Sequence, residues 1–167
     1  FEFPSLGLAR AVKTSLSLSK ESVILLQISS DGMNFSILRQ NSLYFEYFRS
    51  WRSIQGEARE ITRTAFEEAV KSEVKRVMDF SLSRFKENIN RGFVVAPGFE
   101  RELGKILGDS FGFKAEPLSL RSYSLTSGWY AVLGSAIRGR SYSDRDSDIN
   151  LSGESLITVL PEKTRYP

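Results

Sequence analysis

The residues that bear on chemistry cluster in one stretch, LLQISSDGMNFSIL at 25–38. It reads as a buried strand, a tight turn and a second strand, the shape in which several nucleotide-binding folds hold a phosphate. Asp31 is the carboxylate nearest the turn. Asp-Gly is also a common hairpin signal, because Asp bonds its own backbone and Gly tolerates positive φ. Asp31 is therefore read as a turn former. Trp51 and Trp129 could stack a base, but core or interface packing explains a tryptophan as well. Arg138-Gly139-Arg140 could clamp a phosphate. A solvated helix end, where cations complement the dipole, accounts for it more simply.

Other chemistries are excluded by composition. The chain has 167 residues with no cysteine and no histidine. Disulfides, zinc ribbons, Ser-His-Asp triads and Cys-His dyads cannot form within it. A two-metal nuclease needs several convergent carboxylates, and the strands offer only Glu46 and Glu116. No catalytic and no metal-ligating residue is assigned.

Apolar residues are 41% and charged residues 26%, the balance of a globular domain with a sizeable core. The net charge is +3, and the basic residues are spread rather than striped. No nucleic-acid partner is expected. A mild affinity for an anionic membrane surface is compatible with the charge. The longest apolar run, VILLQI, is far too short to span a bilayer. The chain begins at Phe1 in mid-pattern and is expected to be part of something longer.

The elements follow from periodicity. Residues 3–18 combine a short extended piece with LGLARAV, the start of a helix. SVILLQIS is nearly all apolar, as a strand covered on both faces should be. MNFSILRQ and LYFEYF alternate, giving two hairpins and a three-stranded antiparallel meander. From Gly56 to about Asn90 the period becomes helical, with Phe66, Val70, Val74, Val77, Met78, Leu82, Phe85 and Ile89 on one face. Gly92 is expected to cap that helix in the left-handed region. FVVA is a short strand, FERELGKILGDSF a second helix, KAEPLSL an extended segment and Gly128–Ile137 a third helix. The order β-β-β-α-β-α-β-α predicts an α/β fold with a mixed sheet and helices on its faces. That is one ribonuclease-H-like half of an actin-like fold. The composition turns polar at RGRSYSDRDSD (138–148); the domain boundary is placed at 140/141, and 141–167 reads as a polar linker and an apolar docking segment.

The chain resembles the C-terminal half of the PilM-type actin-like proteins of bacterial type IV pilus assembly, related in fold to the cell-division protein FtsA. It is also similar to the cytoplasmic actin-like domain of type II secretion L proteins. FEFPSLGLARAV, the hairpins of 25–51, the helix IQGEAREITRTAFEEAVKSEVKRVMDFSLSRF and FVVAPGFERELGKILGDSFGFKAEPLSLRS with GWYAVLGSAIRG carry the likeness. They cover about residues 3–140.

The departures from the family pattern fall on the nucleotide loops. Where the second phosphate loop has Asp-Ile-Gly, this chain has Gln27, Ile28 and Ser29. The family carboxylate organises magnesium and water, and the glycine lets the backbone approach an oxygen. Gln27 lacks the charge and Ser29 adds a side chain. At the adenosine loop, Ala96-Pro97-Gly98-Phe99 keeps one glycine, Gly98, while Pro97 removes a donor. ATP and Mg, which members of the family can bind, are therefore not expected here.

In the tail, Asp148-Ile149-Asn150-Leu151 resembles the Ile-Asn-Leu motif that begins the small bitopic partner PilN. Ile149 and Leu151 would be buried anchors and Asn150 would pair with backbone. An ordinary C-terminal strand explains the residues equally well. The resemblance implies a non-catalytic scaffold of a pilus or secretion inner-membrane platform, cytoplasmic and peripheral to the membrane. Its partners would be a PilN-like protein or a fused tail, other platform proteins and possible further copies of itself. The alternative is an ATP-binding, actin-like ATPase or kinase-like domain whose other half lies outside the chain.

Overall fold

A computed structural model describes residues 4–16, 18, 21–40, 42–120 and 124–140. The elements are α1 (Pro4–Ser15), β1 (Ser22–Ile28), β2 (Gly32–Arg39), β3 (Ser42–Ser50), α2 (Trp51–Gln55), α3 (Arg63–Phe85), β4 (Arg91–Val95), α4 (Glu100–Phe111), β5 (Lys114–Pro117) and α5 (Tyr130–Arg140), with a 3-10 turn at Ser127–Trp129 before α5. The sheet order is β3-β2-β1-β4-β5. β1–β2 and β2–β3 are antiparallel, while β1–β4 and β4–β5 are parallel. The expected α/β class, the opening meander and the mixed sheet are all present.

β1 explains the layering. Its side chains alternate between two apolar layers. Ile24 and Leu26 join Met33, Phe35, Ile37 and Val94 beneath α3 and α4. Val23 and Leu25 join Phe93 and Val95 beneath α1 and Tyr130 of α5. A strand buried on both faces must be apolar on both, which is why 23–26 shows no alternation.

Three expectations need correction. The long helix does not run from Gly56 to Asn90. Gly56 closes α2, and Thr62 then caps α3, its hydroxyl accepting from Ala65 N at 3.2 Å. The left-handed cap of α3 is Lys86 (φ 57), not Gly92. Gly92 lies inside β4, where a Cβ would come within 2.8 Å of Phe113 and 2.9 Å of Ile24. Gly32 is not needed for positive φ either. It sits at the β2–β3 register, where a Cβ would collide with the Arg49 carbonyl.

Ile89 is buried but lies past the helix, and Leu82 is half exposed. Glu73, in contrast, is buried on α3, with Arg49 of β3 at 3.5 Å and Arg76 at 3.0 Å. Arg76 also donates to Tyr47 Oη at 2.9 Å. This group ties α3 to the edge strand.

Candidate functional site

β1 and β4 run parallel with Gln27 opposite Val95, so the 29–31 turn and the 96–99 loop lie at the same end of the sheet. This is the end at which open α/β sheets hold ligands. The fold thus brings Gln27, Ser29 and Gly98 to one end.

The turn is closed upon itself. Ser29 N–H donates to Gly32 O at 2.9 Å, and Asp31 N–H donates to Ser29 Oγ at 3.3 Å. The carbonyls are held as well. Trp51 Nε1 donates to Ser29 O at 2.8 Å, and Trp51 N–H donates to Asp31 O at 3.0 Å. The Asp31 carboxylate accepts from Ser30 Oγ at 3.3 Å, in keeping with a turn former. The N–H groups of Ser29 and Asp31, which an anion would otherwise recruit, are spent within the turn.

The second loop shows the same economy. Gly98 adopts φ 89, a conformation that favours glycine. Its N–H donates to Glu100 Oε2 at 3.0 Å, and Ser127 Oγ donates to Glu100 Oε1 at 3.1 Å. Phe99 N–H donates to Ala96 O at 2.8 Å. Glu100 and Glu102 stand in the first turn of α4, where the helix dipole favours negative charge. The chain's own carboxylate occupies the place an incoming phosphate would seek.

A cleft of about 680 Å³ opens beside both loops on the α3–α4 side of the sheet. Its floor is apolar, formed by Ile28, Ile61, Phe66 and Ile106, with Trp51 and Phe99 at the sides. Trp51 rests on Phe66, ring centroids 5.8 Å apart. Arg63 crosses the rim, bonding Glu67 at 3.0 Å and Glu102 at 2.5 Å. One cation against two carboxylates leaves the rim negative, a poor match for a polyphosphate.

A second, smaller depression of about 570 Å³ lies on the opposite face, where Gln27, Ser29 and Asp31 meet Asn34, Glu46 and Phe48. Ser29 forms the ridge between the two. Asn34 Nδ2 donates to Glu46 Oε1 at 2.7 Å.

Sequence reasoning missed the larger cleft. The signal is Phe99, which opens the apolar pattern of FERELGKILGDSF but stands at the N-cap of α4, 57% exposed. The Trp51 side chain packs on Phe66 and makes a hydrogen bond to the 29–31 turn, whereas Trp129 is 58% exposed. Glu46 and Glu116 sit on opposite edge strands and do not converge. Among the described residues no group of three His, Cys, Asp or Glu side chains is placed to hold a metal ion. Arg138 lies at the end of α5. Ile149, Asn150 and Leu151 lie outside the described residues, as does all of 141–167.

The fold and the two loops define an α/β domain built like one half of an actin-like protein. Solved structures agree. A chain of the PilM-PilN type IV pilus biogenesis complex superposes with a TM-score of 0.61 at 14% identity, over 83% of this chain and 52% of that one. The chain thus has a PilM-like, actin-like fold and spans about half the length of that relative. Weaker matches are the ethanolamine utilization protein EutJ from Carboxydothermus hydrogenoformans and the apo psk41 parM protein. EutJ gives a TM-score of 0.47 at 8% identity, over 78% of this chain and 52% of that one. The parM protein gives 0.47 at 12% identity, over 82% and 49%. No protein-family model matches the chain, nor does any curated protein sequence.

Proposed function

We propose that the chain is part of a non-catalytic interaction module of a bacterial type IV pilus or type II secretion platform. It works at the cytoplasmic face of the inner membrane and holds the tail of a PilN-like partner. The observation that carries this reading is the state of the two loops. Ser29, Asp31 and Gly98 give their N–H groups to the chain itself, and Glu100 supplies its own negative charge at α4. A nucleotide would have to break these bonds and displace a carboxylate, without the charge that Gln27 lacks.

The likeness to a chain of a PilM-PilN complex supports the choice of partner. Among the described residues no helix is long and apolar enough to cross a membrane, which is compatible with a peripheral position. In this reading Ile149, Asn150 and Leu151 act as a docking motif, in cis or on a neighbouring domain. The competing reading, an ATP-binding half-domain, draws on the large cleft beside both loops.

Titrating the full-length protein with ATP and magnesium by calorimetry separates the two. The scaffold reading expects no binding in the micromolar range and no phosphate release. Micromolar affinity with turnover would overturn it. A labelled Ile-Asn-Leu peptide should bind in parallel, and should bind more tightly once residues 148–160 are deleted.

A further inference from the structure

The two edges of the sheet differ in character. β5 is four residues long, carries Lys114 and ends on Pro117, features that discourage a further strand. β3 is nine residues long and contains neither lysine nor proline. Its two charges are already engaged, Glu46 by Asn34 at 2.7 Å and Arg49 by Glu73 at 3.5 Å. Tyr44 and Phe48 are 48% and 50% exposed. β3 pairs only with β2 among the described strands, so the backbone groups of its outer side await a partner. An edge of this kind is a template for an added strand.

The sequence supplies a matching segment beyond the described residues. Ser155-Leu156-Ile157-Thr158-Val159-Leu160 is uncharged, rich in β-branched residues and flanked by Gly153-Glu154 and Pro161. It can reach the edge. The 14 residues between Arg140 and Ser155 extend to about 48 Å. A five-stranded sheet is about 24 Å wide. A second copy of the chain suits the edge less well. The antiparallel register that sets Tyr44 against Phe48 of a copy also sets Glu46 against its own counterpart, and like charges directly opposite are unfavourable.

We infer that residues 155–160 pair with β3 as a sixth strand of the same sheet and cover Tyr44 and Phe48. This rests on the sheet edge and the tail sequence, not on the pilus reading, and it survives if that reading fails.

Amide hydrogen exchange on the full chain tests it. Adjacent strand residues point their N–H groups to opposite sides, so the double variant Ile157→Pro, Thr158→Pro removes a needed donor in either register. The outward amides of Tyr44–Arg49 should exchange at least about tenfold more slowly in the parent than in the variant. The amides of Met33–Leu38 should exchange alike in both and report the intact fold. Equal exchange at β3 in the two proteins would overturn the inference. So would protection that is lost on dilution, because a second copy would then be supplying the strand.

Discussion

Gly7 of α1 and Gly134 of α5 hold their helices in backbone contact, since a Cβ on Gly134 would overlap the Gly7 carbonyl oxygen. Arg10 fastens the same crossing by donating to Gly134 O at 3.1 Å. The pair forms one of the two layers that cover the sheet, so the crossing sets the distance of that layer from the strands.

Gly134→Ala should therefore force the helices apart and destabilise the domain by about 2–3 kcal/mol. Gly139→Ala in the same helix meets no described atom within 4 Å and should stabilise by about 0.5–1 kcal/mol. Urea unfolding of both variants measures the contrast. Equal effects would remove the close crossing as the cause.

Glu100 is expected to act as the built-in anion of the 96–99 loop. Glu100→Ala should cost about 1 kcal/mol, through the lost bond to Gly98 N–H and the lost charge at the start of α4. Exchange of the Gly98 amide should rise, while that of Val94 in the neighbouring strand stays unchanged. Denaturant titration and exchange on one sample report both.

Trp51 fixes the 29–31 turn with its indole N–H and lines the cleft with its ring. Trp51→Phe keeps an aromatic ring against Phe66 but loses the bond to Ser29 O, and should cost about 1 kcal/mol. Trp51→Ala removes both and should cost about 3 kcal/mol or more. If the two variants lose the same stability, the ring contributes nothing.

Acid should weaken the domain through Glu87. Its carboxyl is held below the ordinary glutamate value by the Ser22 hydroxyl, and then by the Arg39 guanidinium at 2.5 Å. A depressed pKa in the folded state means the unfolded chain takes up the proton first as the pH falls. The stabilisation is present at neutral pH and is lost as the pH drops through the folded value. The parent should exceed Glu87→Gln in stability at pH 7, and the gap should close in acid. Glu116, lowered chiefly by Lys114 with help from Arg91, adds to the same limb. Thermal unfolding across the acid range gives the two curves, and a constant gap would contradict the linkage.

How far the sequence reaches depends on how local each feature is. The meander, the parallel crossovers and the existence of α4 and α5 follow from period and turn chemistry, which neighbouring residues fix, although α5 runs Tyr130–Arg140 rather than Gly128–Ile137. The losses at Gln27 and Ser29 were legible because a missing carboxylate needs no structure to be seen. The ends of α3 were not. Lys86 takes a left-handed cap that a glycine would ordinarily mark, so the sequence pointed instead to Gly92. Glu73 gave no sign of burial, because besides Arg76 of its own helix it is met by Arg49 of β3, which is distant in sequence.

By itself the sequence determined the fold class, the two-faced burial of β1 and the altered residues of both loops. These depend on side-chain character and on spacing along one segment. Only the tertiary structure decided where the donors of those loops go, that Phe99 and Trp51 flank a cleft, and why Gly7, Gly32 and Gly134 are glycines. Each of these is set by atoms from elements distant in sequence, whose approach appears only once both faces of the sheet are covered.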